Sequence, residues 1–196
     1  MSHYFTTPDE PMRTHEFTAT VFGTDMTFTA APGVFSGNRL DLGTSVLLRE
    51  VEPPTSGRVL DVGCGVGTIA VGLAVASPGI VVDAVDVNGR AVELTNLNAE
   101  RHGVADRVRA CFPDEIDGDV AYDEIWSNPP IRIGKAALHD LLLTWLPRLT
   151  VDGSAYLVVG KNLGGDSLQR WLEGQGFPTE RIASAKGFRV LRSRRG

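Results

Sequence analysis

The chain has 196 residues, 42% of them hydrophobic and 22% charged, with a formal net charge of −5; this fits one α/β domain and argues against broad, sequence-independent binding to nucleic acid. Neither a low-complexity tract nor an internal repeat is present, so disordered and solenoid readings drop out. The opening MSHYFTTPDEPMRTHEF lacks a basic segment followed by an apolar stretch, no apolar run approaches the ~20 residues of a membrane span, and two cysteines make no disulfide framework, so a reduced, cytoplasmic protein without a membrane partner is expected.

Two short β-prone runs, Phe17 to Phe22 and Met26 to Thr29, flank Gly23-Thr24-Asp25 and predict a hairpin turning on those three residues. A helix from Gly43 to Val51 follows, stopped by Pro53 and Pro54. From Arg58 onward apolar runs alternate with helical patterns. Val59–Val62, Ile80–Val85, Val108–Cys111, Glu124–Trp126 and Ala155–Val159 read as buried strands of a parallel sheet, with helices over Val66–Ala76 and Asn88–His102. Leu138, Leu141, Leu142, Trp145, Leu146 and Leu149 recur at helical spacing, and Pro147 should kink or end that helix. Ser167–Gln175 predicts a last helix, and the segment Arg181 to Arg192 a closing pair of strands. Strand and helix alternation predicts a doubly wound α/β sheet with its ligand at the carboxyl ends of the strands. The chain reads as one domain over 1–196, an N-terminal hairpin arm over 1–42 and an α/β core over 43–196. Its tail carries Arg181, Lys186, Arg189, Arg192, Arg194 and Arg195 with only Glu180 among them to oppose them, a patch able to hold phosphates or simply to aid solubility.

The first strand runs into Asp61-Val62-Gly63-Cys64-Gly65-Val66-Gly67-Thr68 and then a helix. Glycines let the backbone turn sharply and approach a ligand with no Cβ in the way. Nicotinamide enzymes use such a turn too, but their G-x-G-x-x-G pattern would need a glycine where Thr68 stands. Asp61 is either a satisfied turn residue or a partner for an ammonium. Asp86, at the end of the next strand, either caps the following helix or accepts from the hydroxyls of a ribose. Cys64 needs only to be small. His3, His15, His102 and His139 are scattered without ligand spacing, so no metal site is expected.

Asn128-Pro129-Pro130 follows the strand Glu124–Trp126. The prolines fix φ, restrict the residues before them and offer no N–H, so the loop is rigid and presents acceptors. An exocyclic amine on a base, or a carboxamide nitrogen, is a poor nucleophile because its lone pair is delocalised. The side-chain oxygen of Asn128 and the carbonyl of Pro129 are two acceptors for its two hydrogens, holding the nitrogen in line and stabilising the positive charge that develops on attack.

Taken together, Val59–Thr68, Asp86 and Asn128-Pro129-Pro130 resemble class I S-adenosylmethionine-dependent methyltransferases acting on amino nitrogens. More narrowly, Gly33-Val34-Phe35-Ser36, Leu40-Asp41-Leu42-Gly43-Thr44, the extended run Ser127 to Lys135, and Lys186-Gly187-Phe188-Arg189-Val190-Leu191 resemble the small methyltransferase domain of ribosomal RNA small-subunit methyltransferase C and its single-domain relatives. The resemblance implies a seven-stranded Rossmann-like sheet with an antiparallel last strand, S-adenosylmethionine as cofactor, and guanine N2 in 16S ribosomal RNA, free or in the small subunit, as substrate. It implies cofactor contacts from Asp61, Gly63, Cys64, Gly65, Asp86, Val87, Phe112 and Asn128, catalysis by Asn128 and Pro129, and substrate contacts from Pro130, Ile131, Arg132 and Lys135. Two positions depart from the pattern. Ile131 stands where many relatives have an aromatic residue, which shifts base stacking to Phe35 or Phe188. Phe112 stands where many have an acid, with Asp114 two residues on. The fuller relatives also carry an N-terminal half, so here RNA recognition falls to the basic tail or to an assembled target. Other amino groups (adenine, protein glutamine), a nicotinamide oxidoreductase and an idle cofactor-binding RNA module are the competing readings.

Overall fold

A computed structural model describes residues 12–35, 39–130 and 133–196. Strands β1 (His15–Val21) and β2 (Thr24–Ala30) form an antiparallel hairpin. Helix α1 (Leu42–Glu50) leads into the core, where β3 (Gly57–Val62), α2 (Thr68–Ala76), β4 (Ile80–Val85), α3 (Gly89–Arg101), β5 (Val108–Cys111), β6 (Tyr122–Ser127), α4 (Lys135–Trp145), β7 (Leu149–Gly160), α5 (Gly165–Gly174), β8 (Thr179–Ala185) and β9 (Phe188–Arg194) follow. Seven strands make one sheet in the order β5-β4-β3-β6-β7-β9-β8. The pairs among β5, β4, β3, β6 and β7 are parallel, and β9 runs antiparallel to both neighbours. This is the expected doubly wound sheet with its last strand reversed.

Strand alternation sorts the core into two layers. Val59, Val82, Ala84, Trp126, Val158 and Val190 face one layer, where α1, α2, α3 and the hairpin pack. Leu60, Val62, Val85, Ile125, Leu157 and Leu191 face the other, under α4 and α5. The hairpin is part of the first layer: Val21, Met26 and Phe28 are buried, and Phe17 stacks on Phe28 at 5.7 Å. Polar contacts fasten it to α3, where Asn98 pairs with Thr29 and Arg101 with Glu16.

Three elements differ from expectation. The hairpin turns on Phe22-Gly23, with φ of 46° and 78°, so Thr24 and Asp25 already belong to β2. Both positions lie in the left-handed region that two-residue hairpins require, and Phe22 is held there by edge-on packing against Trp126. Leu149 is not the end of a helix. Pro147 closes α4 through a 3-10 turn, Leu146–Arg148, and Leu149 begins β7. Strand β7 is also longer than the run Ala155–Val159 suggests, because its first half, with Val151 81% exposed, carries no continuous apolar signal.

Candidate active site

The carboxyl ends of β3, β4, β5 and β6 meet at one edge of the sheet, and backbone bonds lock them together. Gly63 and Cys64 donate N–H bonds to the Val85 carbonyl (2.8 and 3.1 Å), and the Ser127 hydroxyl donates to the Val62 carbonyl (2.7 Å). Beside the ends of β3 and β6 lies a shallow crevice open to solvent, lined by Phe35, Thr44, Gly63, Gly65, Thr68 and Asn128 among others. The glycine-rich turn and Asn128 therefore face the same crevice.

The turn is built from left-handed residues, with φ of 78° at Gly63, 59° at Gly65 and 83° at Gly67. A Cβ on Gly65 would sit 3.2 Å from the Phe35 carbonyl, and one on Gly67 would meet Thr95 at 2.9 Å. Gly63 leaves open space beside it, Gly65 lets the Phe35 backbone come close, and Gly67 is bare because α3 packs against it. The Asp86 carboxylate ties the turn to β4, accepting from Gly65 N (3.1 Å) and Asn88 N (2.9 Å). Asn88, not Asp86, caps α3. Burial raises the Asp86 pKa, and the backbone donors pull it back in part.

Asp61 lies beneath the turn rather than on its surface. It is fully buried, one oxygen accepts from Ala70 N (3.1 Å), and the other, Oδ1, has no partner among the described residues. Burial pushes its pKa up to about 7. Cys64 is buried as well, its pKa raised well above that of a free thiol by burial, and the Thr95 hydroxyl points at its sulfur. It is packing, not a nucleophile. Val87 and Phe112, 55% and 41% exposed, follow the ends of β4 and β5. The orphaned Asp61 oxygen, the Cβ-free cradle at Gly63 and Gly65 and the apolar pair Val87 and Phe112 suit a ligand with a cationic end, a ribose and a flat base, so the residues present fit S-adenosylmethionine.

Asn128 ends β6 on the opposite side of the crevice. Its Nδ2 donates to Asp41 Oδ2 (2.8 Å) and to Thr44 Oγ1 (3.0 Å). A carboxylate accepts only, so the amide orientation is fixed and Oδ1 is turned the other way. Asp41 and Thr44 are functional candidates that residue spacing does not reveal. Asp41 is the cap of α1, accepting from Gly43 N (2.8 Å) and Thr44 N (3.2 Å). A helix-capping Asp is the available sequence signal, but nothing in it points 87 residues ahead. Pro129 is buried and Pro130 half-buried behind Asn128, with Pro130 Cδ 4.0 Å from where a Gly63 side chain would begin.

Of the other candidates, Lys135 is the exposed first residue of α4, while Ile131 and Arg132 lie outside the described residues. Phe35 lines the crevice; Phe188 instead packs on Gly43, 2.9 Å from where a side chain there would start. The basic tail needs correction, because Asp166 on α5 also opposes it. Arg189 (2.9 Å) and Arg181 (3.5 Å) pair with Asp166, and Arg192 and Arg194 share Glu180. Lys186 sits in the β8–β9 turn at the carboxyl edge, where Gly187 O accepts from Lys161 N (2.8 Å). No described helix is long and apolar enough to cross a membrane, and no described cluster of His, Cys, Asp and Glu could hold a metal.

Known proteins resemble the chain in sequence and in fold. The Bacillus subtilis (strain 168) protein YbxB is 34% identical over 175 residues, which is 87% of each chain. Ribosomal RNA small subunit methyltransferase C of Acinetobacter baumannii (strain AYE) is 33% identical over 181 residues, 89% of this chain and 53% of that one. The chain thus spans about half the length of that relative. The structure of the T. thermophilus 16S rRNA N2 G1207 methyltransferase in complex with AdoMet and guanosine superposes with a TM-score of 0.83 at 24% identity, covering 96% of this chain and 52% of that one. A family model, the methyltransferase small domain, matches residues 25–192. The chain belongs to the methyltransferase small domain family and is an S-adenosylmethionine-dependent methyltransferase.

Proposed function

We propose that this protein methylates the exocyclic N2 amine of a guanine in 16S ribosomal RNA. The observation that carries this reading is the Asn128 carboxamide, held by its nitrogen at the crevice edge so that its oxygen is left to accept from a substrate amine. Bound S-adenosylmethionine supplies a methyl group on a cationic sulfur. Gly63 and Gly65 would cradle its methionine end, the buried Asp61 oxygen its ammonium, Asp86 its ribose hydroxyls, and Val87 and Phe112 its base. Cys64 shapes the turn from beneath.

On the substrate side, Asn128 Oδ1 and the Pro129 carbonyl would take the two amine hydrogens. That pairing holds the nitrogen in line and stabilises the charge it gains, with no strong base needed before attack. Pro130 stiffens the loop. Phe35, on the crevice wall, would stack on the base in place of Ile131, which is not aromatic. Lys135 and Lys186 would meet backbone phosphates at the carboxyl edge of the sheet, and Arg132 is given the same role from the sequence alone. The choice of guanine N2 rests on the names of the relatives, ribosomal RNA small subunit methyltransferase C and the 16S rRNA N2 G1207 enzyme.

The test is transfer of labelled methyl from S-adenosylmethionine to unmethylated 16S ribosomal RNA and, separately, to purified small subunits. Label recovered as N2-methylguanosine from either supports the proposal and identifies the assembly state acted on. Label on adenine, or none on either substrate while the cofactor still binds, refutes it.

A further inference from the structure

Every polar group of the Asn128 side chain except Oδ1 is engaged. Both Nδ2 hydrogens go to α1, one to Asp41 Oδ2 at 2.8 Å and one to Thr44 Oγ1 at 3.0 Å. Thr44 is 3% exposed, and Asp41 is itself clamped by Gly43 N and Thr44 N. The clamp is closed from behind by β9, since Phe188 packs so tightly on Gly43 that no side chain fits there. A neutral acceptor alone would have sufficed to orient the amide. The residue present is a carboxylate, and a carboxylate hydrogen-bonded to an amide N–H draws electron density toward the carbonyl oxygen at the far end.

We propose that Asp41 and Thr44 are positioning residues for methyl transfer: they hold the Asn128 carboxamide by its nitrogen, and the Asp41 charge strengthens Oδ1 as an acceptor. This rests on Asn128 being the acceptor for the substrate amine. In transfer, the amine lone pair forms the new N–C bond while the pair of the breaking C–S bond stays on sulfur. The nitrogen becomes cationic and then sheds a proton to solvent. A negative charge one carboxamide away favours that cation more than it favours the neutral amine, so it acts on the rate and not on cofactor binding.

Two measurements test this. The first needs no substrate. In 15N-labelled protein, with the Asn128 side-chain signal assigned by its loss in Asn128→Ala, both Nδ2 hydrogens should exchange with solvent roughly tenfold or more slowly than a free asparagine amide. Asp41→Ala and Thr44→Val should each remove that protection. The second is single-turnover methyl transfer at saturating S-adenosylmethionine. Asp41→Asn keeps an acceptor and loses only the charge, and it should slow transfer roughly tenfold with the cofactor Kd unchanged. Thr44→Val should slow it comparably, and Thr44→Ser should restore most of the loss. An Asn128 amide that exchanges like a free one, or wild-type rates in both Asp41→Asn and Thr44→Val, overturns the proposal. Wild-type protein that transfers nothing to ribosomal RNA or small subunits refutes the substrate reading instead, and amide exchange alone then decides the positioning role.

Discussion

Asn98 on α3 binds Thr29 on β2 as a neighbouring strand would, its Oδ1 accepting from Thr29 N at 2.8 Å and its Nδ2 donating to Thr29 O at 2.9 Å. The same Nδ2 also donates to Val66 O at 2.9 Å, in the glycine-rich turn. One buried side chain therefore joins the hairpin, α3 and the cofactor turn. Asn98→Ala would strand three buried backbone groups, each costing about 1–3 kcal/mol when left unsatisfied. The variant should lose about 3 kcal/mol or more in equilibrium urea unfolding. A loss under ~0.5 kcal/mol would mean that Asn98 does not fasten the hairpin.

Gly65 is bounded on one side by Phe35 and on the other by Asp86. Its φ of 59° already disfavours a side chain, and a Cβ would press on the Phe35 carbonyl at 3.2 Å. Gly65→Ala should cost about 1 kcal/mol of stability while displacing the Phe35 wall and the N–H held by Asp86. We expect the Kd for S-adenosylmethionine to rise roughly tenfold, the equivalent of ~1.4 kcal/mol. Calorimetric titration showing wild-type affinity would place the cofactor's methionine end away from this turn.

Asp61 predicts a pH dependence with a definite sign. Without ligand its pKa is about 7 against an ordinary 3.8, through burial first. The folded state therefore holds the proton more tightly than the unfolded one. That contribution to stability is complete below pH 3.8 and is lost as pH rises through about 7. Asp61→Asn should consequently raise the melting temperature of the ligand-free protein at pH 8 more than at pH 5.5. Cofactor binding runs the opposite way, because an ammonium favours the ionised carboxylate. Affinity should fall roughly tenfold between pH 8 and pH 6, with proton release on binding, and Asp61→Asn should abolish the dependence. A flat pH profile in the wild type would remove Asp61 from the ammonium site.

The parts legible in the sequence are those whose chemistry is local. Asp61 through Thr68 sits on a strand, a turn and a helix start in one run, and Asp86 and Asn128 each close an apolar strand, so periodicity alone carries them to the same sheet edge. What escapes is cooperation across distant segments. Asp41 stands out in the sequence only within a segment shared with relatives, and its bond to Asn128 exists only once β6 and α1 are adjacent. Asp166 lies on a helix whose face toward the tail is invisible until β9 inserts between β7 and β8, so the basic tail reads as less opposed than it is. The hairpin turn is misplaced for a similar reason: Gly-Thr-Asp is the stronger turn signal, and Phe22 takes a left-handed φ because Trp126 packs against its ring.

Asn128 itself separates the catalytic reading from a structural one. Removing its side chain leaves β6, the prolines and the glycine turn in place, since the bonds that lock the strand ends come from the Gly63 and Cys64 N–H groups and the Ser127 hydroxyl. Asn128→Ala should therefore bind S-adenosylmethionine within about twofold of wild type while turnover drops roughly a hundredfold or more, as when one preorganised polar group is removed. Asn128→Asp is the sharper variant. It keeps an oxygen toward the crevice but sets a second carboxylate oxygen against Asp41 Oδ2, where an N–H donor stood at 2.8 Å. Like charges at that separation repel, so the loop should shift or one acid should take up a proton. A shifted loop predicts turnover as low as in Asn128→Ala, whereas uptake of a proton keeps a neutral carbonyl oxygen toward the crevice and predicts partial turnover that falls as pH rises. In the double-mutant cycle of Asn128→Ala with Asp41→Asn, non-additive losses would demonstrate direct coupling between the two residues, and strictly additive losses would show that Asp41 affects the site only through the cap of α1.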